Sequence, residues 1–333
     1  MKFLVTAAQG STRDRHFPET LVKRLEAMGE TVWNPFPRAL TRAELAGAIA
    51  DVDVLVTHWG TPQVDAEMLE AAPKLRLIAH CAGTVAHIAS EAAYDKGIPV
   101  LSANSVMAPF VAEGALAYIL TGLRDIPRHS AQLKAGALWE RDVEEQGTLI
   151  GGTLGMVGLG TVGRRLLDLL APFGCSVLVF DPYLGPDALA AWPFARKVDT
   201  LAEVMRQPIV SVHAAQTPET YHIVGAAQLA LMPDRGLLIN TARGSLVDTN
   251  ALIAELQSKR LRAVLDVYEG EPLSLESPLR RLGDNLILLP HLAGAPAAWQ
   301  MTQAVLDDID RWREGRPLQL AVSRAQFRLM TQE

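Results

Sequence analysis

The chain has 333 residues, 49% hydrophobic and 20% charged, with a formal net charge of −6. That length suits two domains better than one core, and the composition excludes a disordered chain. The acidic balance argues against nucleic acid or an anionic membrane as main partner, and no apolar stretch approaches the roughly 20 residues of a membrane span. The two cysteines, Cys81 and Cys175, show neither a disulfide framework nor zinc-ligand spacing, so a reducing cytoplasm and no metal are expected.

The first apolar run, 3–8, is too short for a signal h-region and reads as a strand. Similar runs recur at 52–58, 75–81 and 99–103, with helical patterns around 19–29, 64–71 and 88–96 between them. Strands alternating with helices predict a parallel sheet covered on both faces, here an open α/β domain over residues 1–105. A helical segment at 108–124, rich in alanine and leucine, suits close packing against a neighbouring helix or subunit.

An apolar strand at 154–157 then leads into Gly158-Leu159-Gly160-Thr161-Val162-Gly163, an amphipathic run at 164–170, and a second strand at 177–180 ending in Asp181. Strand, glycine turn, helix, strand and acid in that order form a dinucleotide-binding fingerprint. Gly158 permits the tight turn, Gly160 lets backbone approach a pyrophosphate, and Gly163 lets helix and strand pack closely. Asp181 lies 18 residues beyond Gly163 (181 − 163), near the spacing of about 20 for the acid that bonds a ribose 2′-hydroxyl. A 2′-phosphate would be repelled there, which favours NAD over NADP.

Further strands at 209–214, 236–241, 262–267 and 285–289 complete a doubly wound sheet of about six strands. A final helix at 296–315 precedes a tail that returns to the first domain. The expected fold class is α/β with two doubly wound parallel-sheet domains. Residues 106–293 form a Rossmann-type NAD-binding domain, inserted in a substrate-binding domain of residues 1–105 plus 294–333. The catalytic cleft is expected between them, beyond the carboxyl ends of the strands.

Three sites end apolar strands after the fingerprint. Arg243, in Asn240-Thr241-Ala242-Arg243-Gly244, can clamp a carboxylate or a developing alkoxide, though alone it fits a surface salt bridge as well. Asp266, Glu269 and Glu271, in Asp266-Val267-Tyr268-Glu269-Gly270-Glu271-Pro272, fit either a carboxylate partner or a solvated acidic loop. His291, in Pro290-His291-Leu292-Ala293-Gly294, titrates near working pH and can pass a proton as a hydride moves. A carboxylate on its other ring nitrogen would set the tautomer and raise its pKa. Together these residues supply a fixed cation, an acid/base and its partner.

With these residues the chain resembles the D-isomer-specific 2-hydroxyacid dehydrogenases over nearly its whole length. The resemblance is strongest at 155–163, at Val212-His213-Ala214 with Thr217-Pro218-Glu219-Thr220, at 238–252, at 266–272 and at 290–294. It implies that Arg243 binds and polarises a small 2-oxo or 2-hydroxy acid, that His291 is the acid/base, and that Glu271 is its partner with Glu269 a solvated neighbour. Thr161 and Val162 match backbone donors to the pyrophosphate, and Asp266 matches the contact to the nicotinamide carboxamide. Further cofactor contacts are implied at Ala214, Thr217, Thr241, Ala242 and Gly294. The substrate domain would be flavodoxin-like, and a homodimer built on the cofactor domain would use residues 108–150.

Departures fall on the substrate side. Where many relatives carry a Gly-x-Gly-x-Asp-Asn-type loop, this chain has His80-Cys81-Ala82-Gly83-Thr84-Val85-Ala86-His87, one residue shorter and without the Asp-Asn pair. Ser102-Ala103-Asn104 replaces the common Asn-Thr-Pro. The backbone N–H groups of Gly83 and Thr84 can still hold a carboxylate. His58 and Trp59 fit a pocket wall, with core packing an equal alternative for Trp59. Cys81 reads as a small buried residue. Two rival functions stand beside the dehydrogenase: phosphite or formate oxidation on the same scaffold, and an NAD-sensing, corepressor-like binding protein. The Glu271–His291 pairing speaks against the formate enzymes, which use a glutamine there.

Overall fold

The computed structural model describes residues 1–137 and 146–331. The chain divides into two compact units, one of Met1–Met107 with Ala297–Glu333 and one of Ala108–Pro296.

The first unit carries five parallel strands: β1 (Lys2–Val5), β2 (Glu30–Trp33), β3 (Val54–Thr57), β4 (Leu77–His80) and β5 (Val100–Ser102). Their order is β2-β1-β3-β4-β5, parallel throughout. Every residue of β3 and β4 is buried, which is why these strands read as continuous apolar runs. Three elements were not anticipated from the apolar runs: β2, an edge strand, and the helices Ser11–His16 and Arg42–Ile49. The last carries a local signal that periodicity misses. The Thr41 hydroxyl accepts the Glu44 N–H at 3.3 Å and the Thr41 N–H donates to the Glu44 carboxylate at 2.8 Å, a capping box written as Thr-x-x-Glu. The tail returns to this sheet, where Ser102 N–H donates to Leu320 O at 3.0 Å and Val322 N–H to Val100 O at 2.9 Å.

The second unit carries seven parallel strands: β6 (Thr153–Val157), β7 (Ser176–Phe180), β8 (Ala195–Lys197), β9 (Ile209–Val212), β10 (Leu237–Asn240), β11 (Arg262–Leu265) and β12 (Leu286–Leu288). The order is β12-β11-β10-β9-β6-β7-β8. The seventh strand, beyond the six anticipated, is β8. It is a short edge strand whose Arg196 and Lys197 are exposed, so it has no apolar run to announce it. Alternate residues leave the sheet on opposite faces. Leu154, Met156, Val177, Val179, Leu237 and Ile239 join one buried cluster, while Val157, Leu178, Val210, Val212 and Leu238 join another. Strand order reverses between β6 and β9, so the crevice for a ligand opens at their carboxyl ends.

The helix Asn104–Arg124 corrects one expectation. It has 21 residues, and an 18-residue window within it has a mean hydropathy of 1.6, so by length and composition alone it is long and apolar enough to cross a membrane. Its Ala112, Ala115, Ile119 and Leu123 are buried in the cluster that holds Leu154 and Ile239. Its small residues permit that approach: a Cβ on Gly122 would lie 2.9 Å from both methyl carbons of Leu237, and one on Gly114 would lie 3.0 Å from Ala293 Cα.

Candidate active site

In a parallel sheet every strand delivers its following residue to the same edge. Thus β6 delivers Gly158, β7 Asp181, β9 His213-Ala214, β10 Thr241–Arg243 and β11 Asp266, with His291 three residues after β12. The sequence-predicted residues of the second unit therefore share one edge because the topology places them there.

Gly158 sits at φ 85 in the left-handed region, and a Cβ there would be 2.5 Å from both Ala214 N and Cα. Only glycine fits. Gly160 caps the helix Thr161–Leu170 without a side-chain bond, and the nearest atom to a Cβ there would be His213 O at 3.9 Å. Room therefore remains for a ligand at the helix N-terminus. At Gly163 a Cβ would press on Met156 Sδ at 3.2 Å and Gly158 O at 3.4 Å, so this glycine sets the helix–strand contact. Asp181 accepts the Leu159 N–H through Oδ2 and the Tyr183 N–H through Oδ1, both at 2.9 Å, which holds its carboxylate against the glycine turn. A cradle closed to Cβ atoms, an open helix terminus and a tethered acid fit a dinucleotide. Of the threonines expected to contact a cofactor, Thr217 N–H donates to Thr220 Oγ at 2.8 Å, and Thr241 follows β10 and is buried with an unpartnered hydroxyl. Ala242 N–H donates to Asn240 Oδ1 at 3.0 Å.

His291 Nδ1 lies 2.7 Å from Glu271 Oε2. The hydrogen bond to Glu271 raises the His291 pKa above its usual value, outweighing burial and the opposing Arg243 charge. Burial pushes the Glu271 carboxyl up, but bonds from His291 and from the Tyr268 N–H at 3.0 Å outweigh it and hold the carboxyl below its usual range. With Nδ1 occupied, Nε2 is the nitrogen left for a reacting oxygen. His291 itself sits at φ 56, a strained value for a residue with a Cβ. Its turn is anchored by Asp266, which is buried and accepts the Leu292 N–H at 2.8 Å and the Ala293 N–H at 2.9 Å. The Tyr268 hydroxyl accepts the Leu289 N–H at 3.0 Å from the other side. Gly294, partly buried, follows directly.

Arg243 begins the short turn Gly244–Leu246, and one of its guanidinium nitrogens donates to Ala242 O at 2.8 Å. Gly244 is wedged against the acidic loop: a Cβ would lie 1.8 Å from the carbonyl carbon of Tyr268. That contact lays the arginine turn on the Glu269–Glu271 loop, and the Arg243 charge acts on both Glu271 and His291. Glu269 is solvent-exposed, as anticipated, but it has a partner the sequence did not announce. Its side chain is 30% exposed and accepts a 2.6 Å hydrogen bond from His222 Nε2. Sequence inspection missed this pair because a histidine 47 residues away carries no local mark of its partner.

The first unit presents its own strand ends. After β4, the Gly83 carbonyl accepts a bond from the Ser102 hydroxyl, while the Thr84 hydroxyl donates to Thr331 O at 2.9 Å and accepts the Ala86 N–H at 3.3 Å. The backbone N–H groups of Gly83 and Thr84 stay outside these bonds. Cys81 is buried, and burial pushes its thiol up to about 12, so it is no nucleophile. His58 and His80 are buried as well, and desolvation pushes both rings down to about 3, keeping them neutral. Trp59 does not pack in the core. It is 51% exposed and stands edge-on to His58, with ring centroids 4.5 Å apart. Among the described residues, no group of three His, Cys, Asp or Glu side chains is arranged to hold a metal ion.

The class of protein this fold and site define is a two-unit α/β protein with a dinucleotide cradle and a histidine–carboxylate pair on one sheet edge. A family model described as D-isomer specific 2-hydroxyacid dehydrogenase, NAD binding domain, matches residues 116–293. The chain belongs to the D-isomer-specific 2-hydroxyacid dehydrogenase family. It is 38% identical over 275 residues to a D-3-phosphoglycerate dehydrogenase of Methanocaldococcus jannaschii, covering 82% of this chain and 51% of that protein. It is 34% identical over 288 residues to a glyoxylate reductase of Thermococcus litoralis, covering 84% of this chain and 86% of that one. A solved structure of a Thermus thermophilus protein superposes with a TM-score of 0.78 at 29% identity, covering 97% of this chain and 100% of the other. The chain spans about half the length of the phosphoglycerate dehydrogenases it matches.

Proposed function

We propose that the protein is an NAD-dependent oxidoreductase that interconverts a 2-oxo acid and a D-2-hydroxy acid. The observation that carries this reading is the 2.7 Å bond from His291 Nδ1 to Glu271, on the sheet edge that also bears Arg243 and the glycine cradle. When bound, the dinucleotide supplies or takes up the hydride. The chain's residues do the rest. The N–H groups of Thr161 and Val162 and the helix N-terminus receive the pyrophosphate. Arg243 holds the substrate carboxylate and carbonyl and polarises the latter. His291, protonated under the influence of Glu271, donates a proton from Nε2 to the carbonyl oxygen in reduction and takes it back in oxidation. Glu271 keeps the ring in the tautomer that leaves Nε2 facing the substrate.

An assay of NADH oxidation with glyoxylate, hydroxypyruvate, pyruvate and bulkier branched 2-oxo acids tests the reading. Turnover with at least one is expected. NADH binding without turnover of any would overturn it in favour of a binding protein. The glyoxylate reductase of Thermococcus litoralis, similar over most of both chains, supports including the two-carbon acid.

NAD is proposed over NADP on the position of Asp181, whose carboxylate is held against the glycine turn by the Leu159 and Tyr183 N–H groups. Asp181→Ala is expected to narrow the preference for NADH over NADPH by about 10–100-fold, the worth of one charge-assisted hydrogen bond. Steady-state kcat/KM for both cofactors reads this out, and a wild-type preference for NADPH would refute the assignment.

The same reading makes the protein a homodimer through residues 108–150, of which 138–145 lie outside the described residues. In that stretch Ile126, Leu133 and Ile150 are exposed, apolar surface of the kind a partner subunit covers.

A further inference from the structure

The second unit holds another histidine–glutamate pair beside the one assigned to catalysis. His222 Nε2 lies 2.6 Å from Glu269 Oε1, and the two side chains are 29% and 30% exposed. Glu269 and Glu271 stand two residues apart on one loop, so this loop supplies a carboxylate to each histidine. Burial pushes the Glu269 carboxyl up, but bonds from Thr249 and His222 outweigh it and hold it ionised below its usual range.

The surroundings of His222 show what the pair holds. Its backbone N–H donates to Ser245 O at 2.8 Å, the Val224 N–H donates to Leu246 O at 3.0 Å, and the Asp248 N–H returns to Val224 O at 3.0 Å. Segment 222–224 thus runs as a short ladder along the turn that begins at Arg243. The opposite side of that turn is the Tyr268–Glu269 peptide, which Gly244 touches without room for a Cβ. The Arg243 turn is therefore held between two walls. The His222–Glu269 bond ties one wall to the other, and Glu269 Oε2 also accepts the Thr249 N–H at 3.3 Å just beyond the turn. His222 is held at φ 51, in the left-handed region, with Tyr221 stacked on its ring at 3.9 Å. A residue kept there must be held by its neighbours.

We propose that His222 and Glu269 are a positioning pair: their hydrogen bond closes the clamp that sets Arg243 for the substrate carboxylate and locks it in register with Glu271. Neither residue touches substrate. The inference rests on the reading of Arg243 as the substrate clamp. It predicts an effect on 2-oxo acid affinity that is separate from NADH binding and from proton transfer by His291.

The test is kinetic, on the full chain, with the 2-oxo acid that supports turnover. His222→Ala and Glu269→Ala are each expected to raise KM for the 2-oxo acid about 10-fold, given that small displacements of a positioning group cost up to about 100-fold. The Kd for NADH should stay within about twofold, and Glu269→Gln, which keeps an acceptor oxygen, should recover most of the loss. The double variant should cost clearly less than the sum of the two single ones, since both remove the His222–Glu269 bond while each also loses a contact of its own, Glu269 with the Thr249 N–H and His222 with the Tyr221 ring. Additive effects, an unchanged KM, or parallel losses of KM, NADH affinity and melting temperature would overturn the proposal. Arg243→Ala separates the two readings: if it leaves KM unchanged, the assignment of Arg243 fails and not the clamp alone.

Discussion

Replacing His291 by alanine is expected to lower kcat for 2-oxo acid reduction by about 10²–10⁴-fold, the range for a lost general acid, with NADH affinity unchanged. The glycine turn and His291 are contributed by different strand ends, and His291 has no part in the bonds that shape that turn. Full turnover in the alanine variant would remove His291 from the mechanism. The pH profile tests the same assignment without a mutation. Reduction requires the imidazolium, so its kcat/KM should be flat at low pH and fall tenfold per unit above the raised His291 pKa, while oxidation rises over the same range. Glu271→Gln removes the largest cause of the raised pKa and should move that limb to lower pH. The pair's contribution to stability has matching signs. The His291 part is complete below the ordinary histidine value of 6.5 and is lost as pH rises through its folded value. The Glu271 part is complete above 4.5 and is lost as pH falls through its depressed value.

Gly244→Ala is expected to do comparable damage by a purely steric route. The added Cβ would stand 1.8 Å from a backbone carbon and 2.1 Å from the Tyr268 carbonyl oxygen, and neither can rotate aside. The turn must lift off the acidic loop, carrying Arg243 away from Glu271 and His291. Overpacking of this kind costs about 1–3 kcal/mol of stability. A shift of about 1 Å in a substrate-positioning group costs up to about 100-fold in rate. Thermal unfolding and kcat/KM for the 2-oxo acid measure the two effects. Gly47→Ala is the control, because nothing lies within 4 Å of its Cβ and it sits inside the helix Arg42–Ile49, where alanine is favoured by about 1 kcal/mol. Wild-type kcat/KM in Gly244→Ala would show that the close contact does not set the arginine.

The cofactor half was legible in the chain because its requirements are local. A tight turn, a helix start and a close helix–strand contact fall on Gly158, Gly160 and Gly163, within six residues, and each demand is met by leaving out a Cβ. The parallel sheets were legible for a related reason: strands such as β3 and β4, buried along their whole length, read as unbroken apolar runs. Elements without that burial, β2 and β8, were silent.

The three residues proposed for catalysis were ambiguous one at a time and gained their roles only from their joint chemistry and the family resemblance. Arg243, Glu271 and His291 each admitted an ordinary structural reading. What joins them is that β10, β11 and β12 are parallel neighbours delivering their loops to one edge. Glu269 shows the limit from the other side. Beside Glu271 on an exposed-looking loop it resembled a solvated acid, and only the fold brings His222 across to it. Trp59 shows it again, since after a buried strand it fitted a pocket wall and core packing equally, and only the structure leaves half of it exposed.

The sequence by itself determined the class of fold, the dinucleotide cradle and its acid, because backbone sterics and apolar periodicity act over a few residues at a time. The resemblance carried by the motifs already implied Glu271 as the partner of His291; the tertiary structure alone decided what Glu269 pairs with, why Gly244 admits no side chain and what surrounds Arg243. Those depend on distances between segments as much as 47 residues apart in the chain, which sheet order and packing set and local sequence does not encode.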